Sequence, residues 1–260
     1  MSDLTTAVKS LAREQGAHLV GVAPVDRFVG APQGHHPADL VPGAQSVVVI
    51  AHRFFQSVLE CDRFGLTSPL IPQEEVWDVQ QTVFMCNYNT ANMRLQMIAA
   101  QLAAFLEDCG YPSLFLPAGG YRVGAQRYAF FSHRHAAVAA GLGEFGLNNL
   151  LLTPQYGPRV RLESMITTAR LEPDPLCEGP VCLGVEGCGL CLEASDCFGE
   201  IHELTVAGKT MQLARFTGGC LSDQHACKRL NRNGTLPYIR YCWGVCPVAQ
   251  DAPIPSTSRQ

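Results

Sequence analysis

The chain has 260 residues, of which 47% are hydrophobic and only 16% charged, and its formal net charge is −4. That balance describes a folded globular protein, and its sign is the opposite of what a broad nucleic-acid surface needs, so nucleic acid is disfavoured as a partner. No stretch reaches the ~20 continuous apolar residues of a membrane span, and the first twenty residues carry neither a secretory signal nor a twin-arginine pair, so a cytoplasmic location is expected.

Leu4, Val8 and Leu11 recur at helical spacing, Gly16 is a stop, and His18 to Val22 reads as a strand ending near Pro24. The run Ser46-Val-Val-Val-Ile-Ala51 is the clearest strand, apolar enough to be buried on both faces. A long helix is predicted from about Val79 to Cys109, with Ile98, Leu102, Phe105, Leu106 and Cys109 on one stripe and Gly110-Tyr-Pro112 ending it. Ser113 to Leu116 then reads as a strand, His133 to Ala140 as a helix, and Val160 to Thr168 as a partly exposed strand. The fold class is α+β, with mixed structure around one sheet. Near residue 172 the chain changes character: Leu171-Glu-Pro-Asp-Pro-Leu-Cys-Glu-Gly-Pro180 suits an extended linker, dividing residues 1–172 from residues 173–260.

Three of the twelve cysteines, Cys61, Cys86 and Cys109, are scattered through the first part and read as small core hydrophobes, whereas nine fall between Cys177 and Cys246. In a reducing compartment such a set points to metal or redox chemistry rather than disulfides. Two groups of four stand out: Cys182-x5-Cys188-x2-Cys191-x5-Cys197 and Cys220-x6-Cys227-x14-Cys242-x3-Cys246-Pro247. Both are stretched forms of the bacterial ferredoxin run, in which three cysteines hold one 4Fe-4S cluster and the fourth crosses to the other. Crossing would put Cys182, Cys188, Cys191 and Cys246 on one cluster and Cys220, Cys227, Cys242 and Cys197 on the second. Structural zinc is the alternative, but zinc ribbons show two tight C-x2-C knuckles and the C-x3-C-P ending belongs to iron-sulfur sites.

Gly141-x-Gly143-x-x-Gly146 matches the dinucleotide fingerprint only superficially, because a helix precedes it and an extended segment follows. Its glycines permit close backbone approach, and Asn148 and Asn149 offer amide groups. Tyr121, Arg122, Arg127, Tyr128, His133 and His135 form a cluster of potential proton donors upstream.

From Gly120 to Thr168, and above all over His135-Ala-Ala-Val-Ala-Ala-Gly-Leu-Gly-Glu-Phe-Gly-Leu-Asn-Asn-Leu-Leu-Leu-Thr-Pro-Gln-Tyr-Gly-Pro-Arg159, the chain resembles epoxyqueuosine reductases and reductive dehalogenases. The resemblance implies a nitroreductase-like α/β domain that binds cobalamin, followed by a ferredoxin-like double 4Fe-4S module. It marks Gly141, Gly143, Gly146, Asn148, Tyr156 and Gly157 as corrinoid contacts. Two departures matter: the proton-donating aspartate of epoxyqueuosine reductases is missing near Arg127-Tyr-Ala-Phe-Phe131, and no tRNA-binding helical-repeat tail follows Cys246. The expectation is a cobalamin-dependent iron-sulfur reductase of a small organic substrate, fed by an external ferredoxin- or flavodoxin-type donor, with Tyr128, His133 or His135 supplying the proton. An electron-transfer or corrinoid-handling protein acting on a corrinoid partner, and a flavin-dependent reductase, are the rivals.

Overall fold

The computed structural model describes residues 2–59, 70, 72, 75–118, 122–123, 128–194, 198–216 and 244–249. Helix α1 (Ser2–Glu14) leads into strand β1 (Leu19–Pro24), which pairs antiparallel with β2 (Ser46–Arg53). The long helix α2 (Val76–Asp108), a short strand β3 (Ser113–Phe115), helix α3 (His133–Ala139) and strand β4 (Val160–Thr167) follow. The sheet order is β1-β2-β4-β3, antiparallel throughout. A hairpin of β5 (Phe198–Val206) and β6 (Lys209–Phe216) comes last among these elements.

Alternation along β2 and β4 divides their side chains between two cores. On one face, Val47, Val49 and Ala51 of β2 and Leu162 and Ile166 of β4 pack with Ala136 to Ala140 at α3 and with Phe145. Val206, Met211 and Leu213 of the hairpin belong to this same core. On the opposite face, Val48, Ile50 and Met165 meet Val8 and Ala12 of α1 and the stripe Leu95, Ile98, Leu102 and Leu106 of α2. Helix α2 is held by this stripe at i, i+3, i+4 spacing, which is the pattern its sequence shows.

Two expectations change. Strand β4 is not partly exposed: from Leu162 to Thr167 every residue is buried, because the sheet continues on both sides and helices cover both faces. Its alternating polar residues, Arg161, Glu163 and Ser164, therefore lie inside the protein rather than toward water. Cys86 and Cys109 are exposed rather than in the core, Cys109 because it caps α2 beyond the last turn that packs on the sheet. Cys61 lies outside the described residues.

The segment after β4 is extended, as its prolines require, yet it does not hang free. Asp174 ties it down, accepting from the Val22 amide at 2.8 Å and pairing with Lys9 at 2.6 Å, while Arg27 donates to the Asp174 carbonyl. Among the described residues no helix is long and apolar enough to cross a membrane.

Leu102→Ala should destabilise the fold by about 2–5 kcal/mol, since a fully buried leucine leaves a cavity under α2. Met97→Ala, on the exposed side of the same helix, should change stability by no more than about 0.5 kcal/mol, and denaturant unfolding of the two variants checks both figures.

Candidate functional site

The helix α3 ends in a loop that turns back as two paired two-residue strands, Glu144–Phe145 and Leu151–Leu152. Glu144 is 4% exposed, and its Oε1 accepts from the backbone amides of Val181 and Cys182, both at 2.6 Å. Its other oxygen pairs with Lys209 of β6 at 2.8 Å, and Lys209 also donates to the carbonyls of Cys177 and Gly179. One carboxylate and one ammonium thus bind the loop, the start of the cysteine segment and the hairpin to each other.

Beyond Cys182 the chain makes two single helical turns, Gly184–Gly187 and Leu190–Glu193, joined through Cys188 and Gly189. Gly184 and Gly189 both have left-handed φ, which lets the segment curl tightly enough to face its cysteines inward. Cys182, Cys188, Cys191 and Cys246 line one cleft, together with Asn148 and Leu152 from the loop. Cys246 reaches this cleft from far along the chain because Arg159, buried at the start of β4, donates to the carbonyls of Cys246 and Val248.

Burial first, and then the neighbouring Cys182, Cys246 and Cys188, push the Cys191 thiol up to about 11. Cys246 is likewise raised, first by burial, against the lowering influence of a Val248 backbone hydrogen bond and of Arg159. Thiols raised in this way, Cys191 and Cys246, become thiolates when a cationic metal displaces their protons. Among the described residues no three His, Cys, Asp or Glu side chains converge closely enough to hold a single ion. Cys197, Cys220, Cys227 and Cys242 lie outside the described residues.

The glycines of the loop face the chain itself. A side chain at Gly141, whose φ is +74°, would strike the Pro175 carbonyl, and one at Gly157, φ +55°, would strike that of Val248. Gly143 is similarly closed by the Leu152 backbone, and Gly146 by the Leu152 side chain. These four positions seat the cysteine-bearing segments and the loop's own return strand, while Asn148 lines the cleft. Tyr156 stands half-buried at the turn that leads to Gly157.

Tyr128 begins a two-residue strand paired with Arg122–Val123, and its side chain lies outside the described residues. His133 and His135 sit in the first turn of α3, His133 with both ring nitrogens engaged and His135 through its Nδ1. His133 bonds to the Ser164 hydroxyl at 2.9 Å and the Pro117 carbonyl at 3.0 Å, and His135 bonds to Ser132 at 2.6 Å and packs edge-on to Phe145. Burial lowers both imidazoles to about 4, so each is neutral near pH 7.

A second polar group was not singled out from the sequence. His18 and His52 meet edge to face at 4.5 Å, and the Tyr156 ring is 6.1 Å from His18. Glu163 lies on the same face of the sheet as His52, one cross-strand pair along, since Ile50 opposes Glu163 and His52 opposes Arg161. An acid and a histidine at the ends of otherwise apolar strand runs are the signal that was available.

No family model matches the chain. It is 28% identical over 219 residues to the tetrachloroethene reductive dehalogenase of Dehalobacter restrictus, covering 73% of this chain and 36% of that protein. The corresponding enzyme of Sulfurospirillum multivorans is 29% identical over 210 residues, covering 73% and 38%. A Desulfitobacterium hafniense reductive dehalogenase is 46% identical over 61 residues, 23% of this chain and 10% of that protein. The chain therefore spans little more than a third of the curated relatives it matches over most of its length. Among solved structures, epoxyqueuosine reductase from Streptococcus thermophilus superposes with a TM-score of 0.57 at 17% identity, over 94% of this chain and 65% of that one. The catabolic reductive dehalogenase NpRdhA superposes with a TM-score of 0.57 at 20% identity, over 95% and 32%. The chain is distantly homologous to reductive dehalogenases and has the mixed α+β fold seen in both groups.

Glu144→Ala should destabilise the protein by roughly 3 kcal/mol, because it leaves Lys209 and two buried amides without their partner. Thermal or denaturant unfolding measures this, and Glu144→Gln should recover part of the loss by restoring an acceptor.

Proposed function

We propose that this distant homologue of the reductive dehalogenases is a cobalamin-dependent iron-sulfur reductase acting on a small organic molecule. The single observation that carries the reading is the cleft at which Cys182, Cys188 and Cys191 are met by Cys246. Four thiols lining one space match the ligand number of a 4Fe-4S core, and the C-x3-C-P ending at Cys246 belongs to iron-sulfur sites rather than to zinc ribbons. Cys197, Cys220, Cys227 and Cys242 would hold the second 4Fe-4S cluster. The domain before residue 173 would be nitroreductase-like and the remainder a ferredoxin-like module.

The polar residues beside the cleft fit a corrinoid. Asn148 lines the cleft with the cysteines, and the Tyr156 ring lies 6.1 Å from that of His18, so these two residues would hold the cofactor. The glycines at 141, 143, 146 and 157 would serve it indirectly, by allowing the loop and the Cys246 segment to pack closely. When bound, the corrinoid would supply a metal centre of low potential, and the clusters would supply one-electron transfer from a ferredoxin- or flavodoxin-type donor. The chain's own tasks are to hold the thiolates, to exclude water with the buried Leu147 and Leu152, and to keep proton-bearing groups within reach.

The curated relatives are named for tetrachloroethene reduction, which makes that compound the first probe substrate. Anaerobic purification after reconstitution with iron, sulfide and cobalamin should give about eight irons and one cobalt per chain, with cluster and corrinoid absorption in the visible spectrum. Iron without corrinoid, even with cobalamin added, would sink the reductase reading, and zinc in place of iron would sink the cluster assignment too.

A further inference from the structure

Between strand β2, strand β4 and helix α2 lies a set of buried polar groups with no hydrogen-bond partner among the described residues. Both carboxyl oxygens of Glu163, both ring nitrogens of His52 and the side-chain oxygen of Asn87 are in this state. Glu163 is 0% exposed and His52 1%. Arg161, the nearest cation on the same strand face, is committed elsewhere. It donates to Asn92 and to the Ala118 carbonyl, and its guanidinium lies 4.3 Å from the centre of the Tyr88 ring.

An ionisable side chain buried without a partner costs stability, and groups kept at such a cost concentrate where chemistry is done. Helix α3 offers no substitute, because His133 and His135 spend their hydrogen bonds on Ser164, Pro117 and Ser132 from the other side of the sheet. The unpartnered groups also lead somewhere. From His52 the rings of His18 and then Tyr156 follow at 4.5 and 6.1 Å, and the next residue, Gly157, packs on Val248 beside Cys246.

We infer that Glu163 is a stored carboxylic acid that supplies the proton consumed when substrate is reduced, on the sheet face that leads past His52 and His18 to the Tyr156 turn. The inference rests on the reductase reading. In reductive replacement of a leaving group, the carbon–leaving-group bond breaks and the group departs as an anion. Two electrons come from the ferredoxin- or flavodoxin-class donor, one proton comes from Glu163, and a carbon–hydrogen bond forms. The resulting glutamate regains its proton from solvent before the next turnover.

Burial alone raises the Glu163 carboxyl from 4.5 to about 8, consistent with an acid that is protonated at neutral pH. On the same face of the sheet stand His52 from β2 and Arg161 from its own strand; on α2, Tyr88 packs on that Arg161 and Arg94 acts on both His52 and His18, the latter ahead of β1. His18 is lowered to about 4 by burial, then by His52, Arg53 and Arg94, and His52 is lowered chiefly by burial. Both are therefore neutral near pH 7. Because the folded state holds the Glu163 proton and the unfolded state releases it, rising pH between about 4.5 and 8 works against folding.

The test compares the loaded wild-type protein with Glu163→Gln and Glu163→Asp. Thermal unfolding across pH 5 to 8 should show the wild type losing stability relative to Glu163→Gln as pH rises, and parallel curves would overturn the stored acid. With iron and cobalt contents unchanged, Glu163→Gln should lose about 100-fold or more in the rate of reductive turnover with a chemical reductant. Glu163→Asp should regain part of that rate with a shifted pH profile. A Glu163→Gln rate equal to wild type overturns the delivery. If the loaded wild type reduces nothing, the reductase reading fails and takes the delivery with it, whereas the thermal comparison needs no turnover and decides separately whether Glu163 holds a proton.

Discussion

A single buried carboxylate, Glu144, ties the loop after α3 to the cysteine-bearing segment and the hairpin. It accepts from the first cysteine's own amide and is neutralised by Lys209 on the hairpin, so three segments distant in sequence meet at one side chain. Buried charges survive only when paired and hydrogen-bonded, and here both oxygens are used. Everything downstream depends on this anchor: the curl of the chain through Cys188 and Cys191, the approach of the hairpin core through Val206, Met211 and Leu213, and the orientation of Asn148 toward the cleft. Arg159 completes the arrangement from the opposite direction by gripping the Cys246 segment through its carbonyls.

The two faces of the sheet divide the labour. Toward α3 lie the loop, its glycines and the satisfied histidines, an arrangement that stabilises and positions. Toward α2 lie Glu163, His52 and Asn87, which contribute little to stability and are held in place by the aliphatic packing around them. Electron entry at the cysteine cleft and proton storage under α2 would then converge at the turn of Tyr156 and Gly157, where the two networks come nearest to each other.

Much of this was legible in the sequence. Helix α2 and strand β2 follow directly from periodicity, since Leu95, Ile98, Leu102 and Leu106 repeat with the helix and Val47 to Ile50 are uniformly apolar. Cys182, Cys188, Cys191 and Cys246, which ferredoxin-like crossing expects on one cluster, line one cleft, and their sharing of a cluster is the proposal made above. Polar alternation misled where it usually informs: Arg161 and Glu163 make β4 look half-exposed, although it is a central strand whose polar side chains are interior. Glu144 was hidden because it stands inside a glycine pattern, and its partners at Val181, Cys182 and Lys209 can be recognised only once the chain has folded back. The loop's glycines were read as space for a ligand, and the structure fills that space with Pro175, Leu152 and Val248. Sequence alone shows that a residue lacks a side chain, but not which neighbour uses the room.

The central claim is that cysteines from both ends of the module share one cluster. Electron paramagnetic resonance of the reduced, iron-loaded protein tests it most directly, with Cys182→Ser, Cys191→Ser and Cys246→Ser compared under identical conditions. All three variants should lose or alter the same one of two cluster signals and leave the other intact. Loss of one signal in Cys191→Ser and of the other in Cys246→Ser would contradict the account.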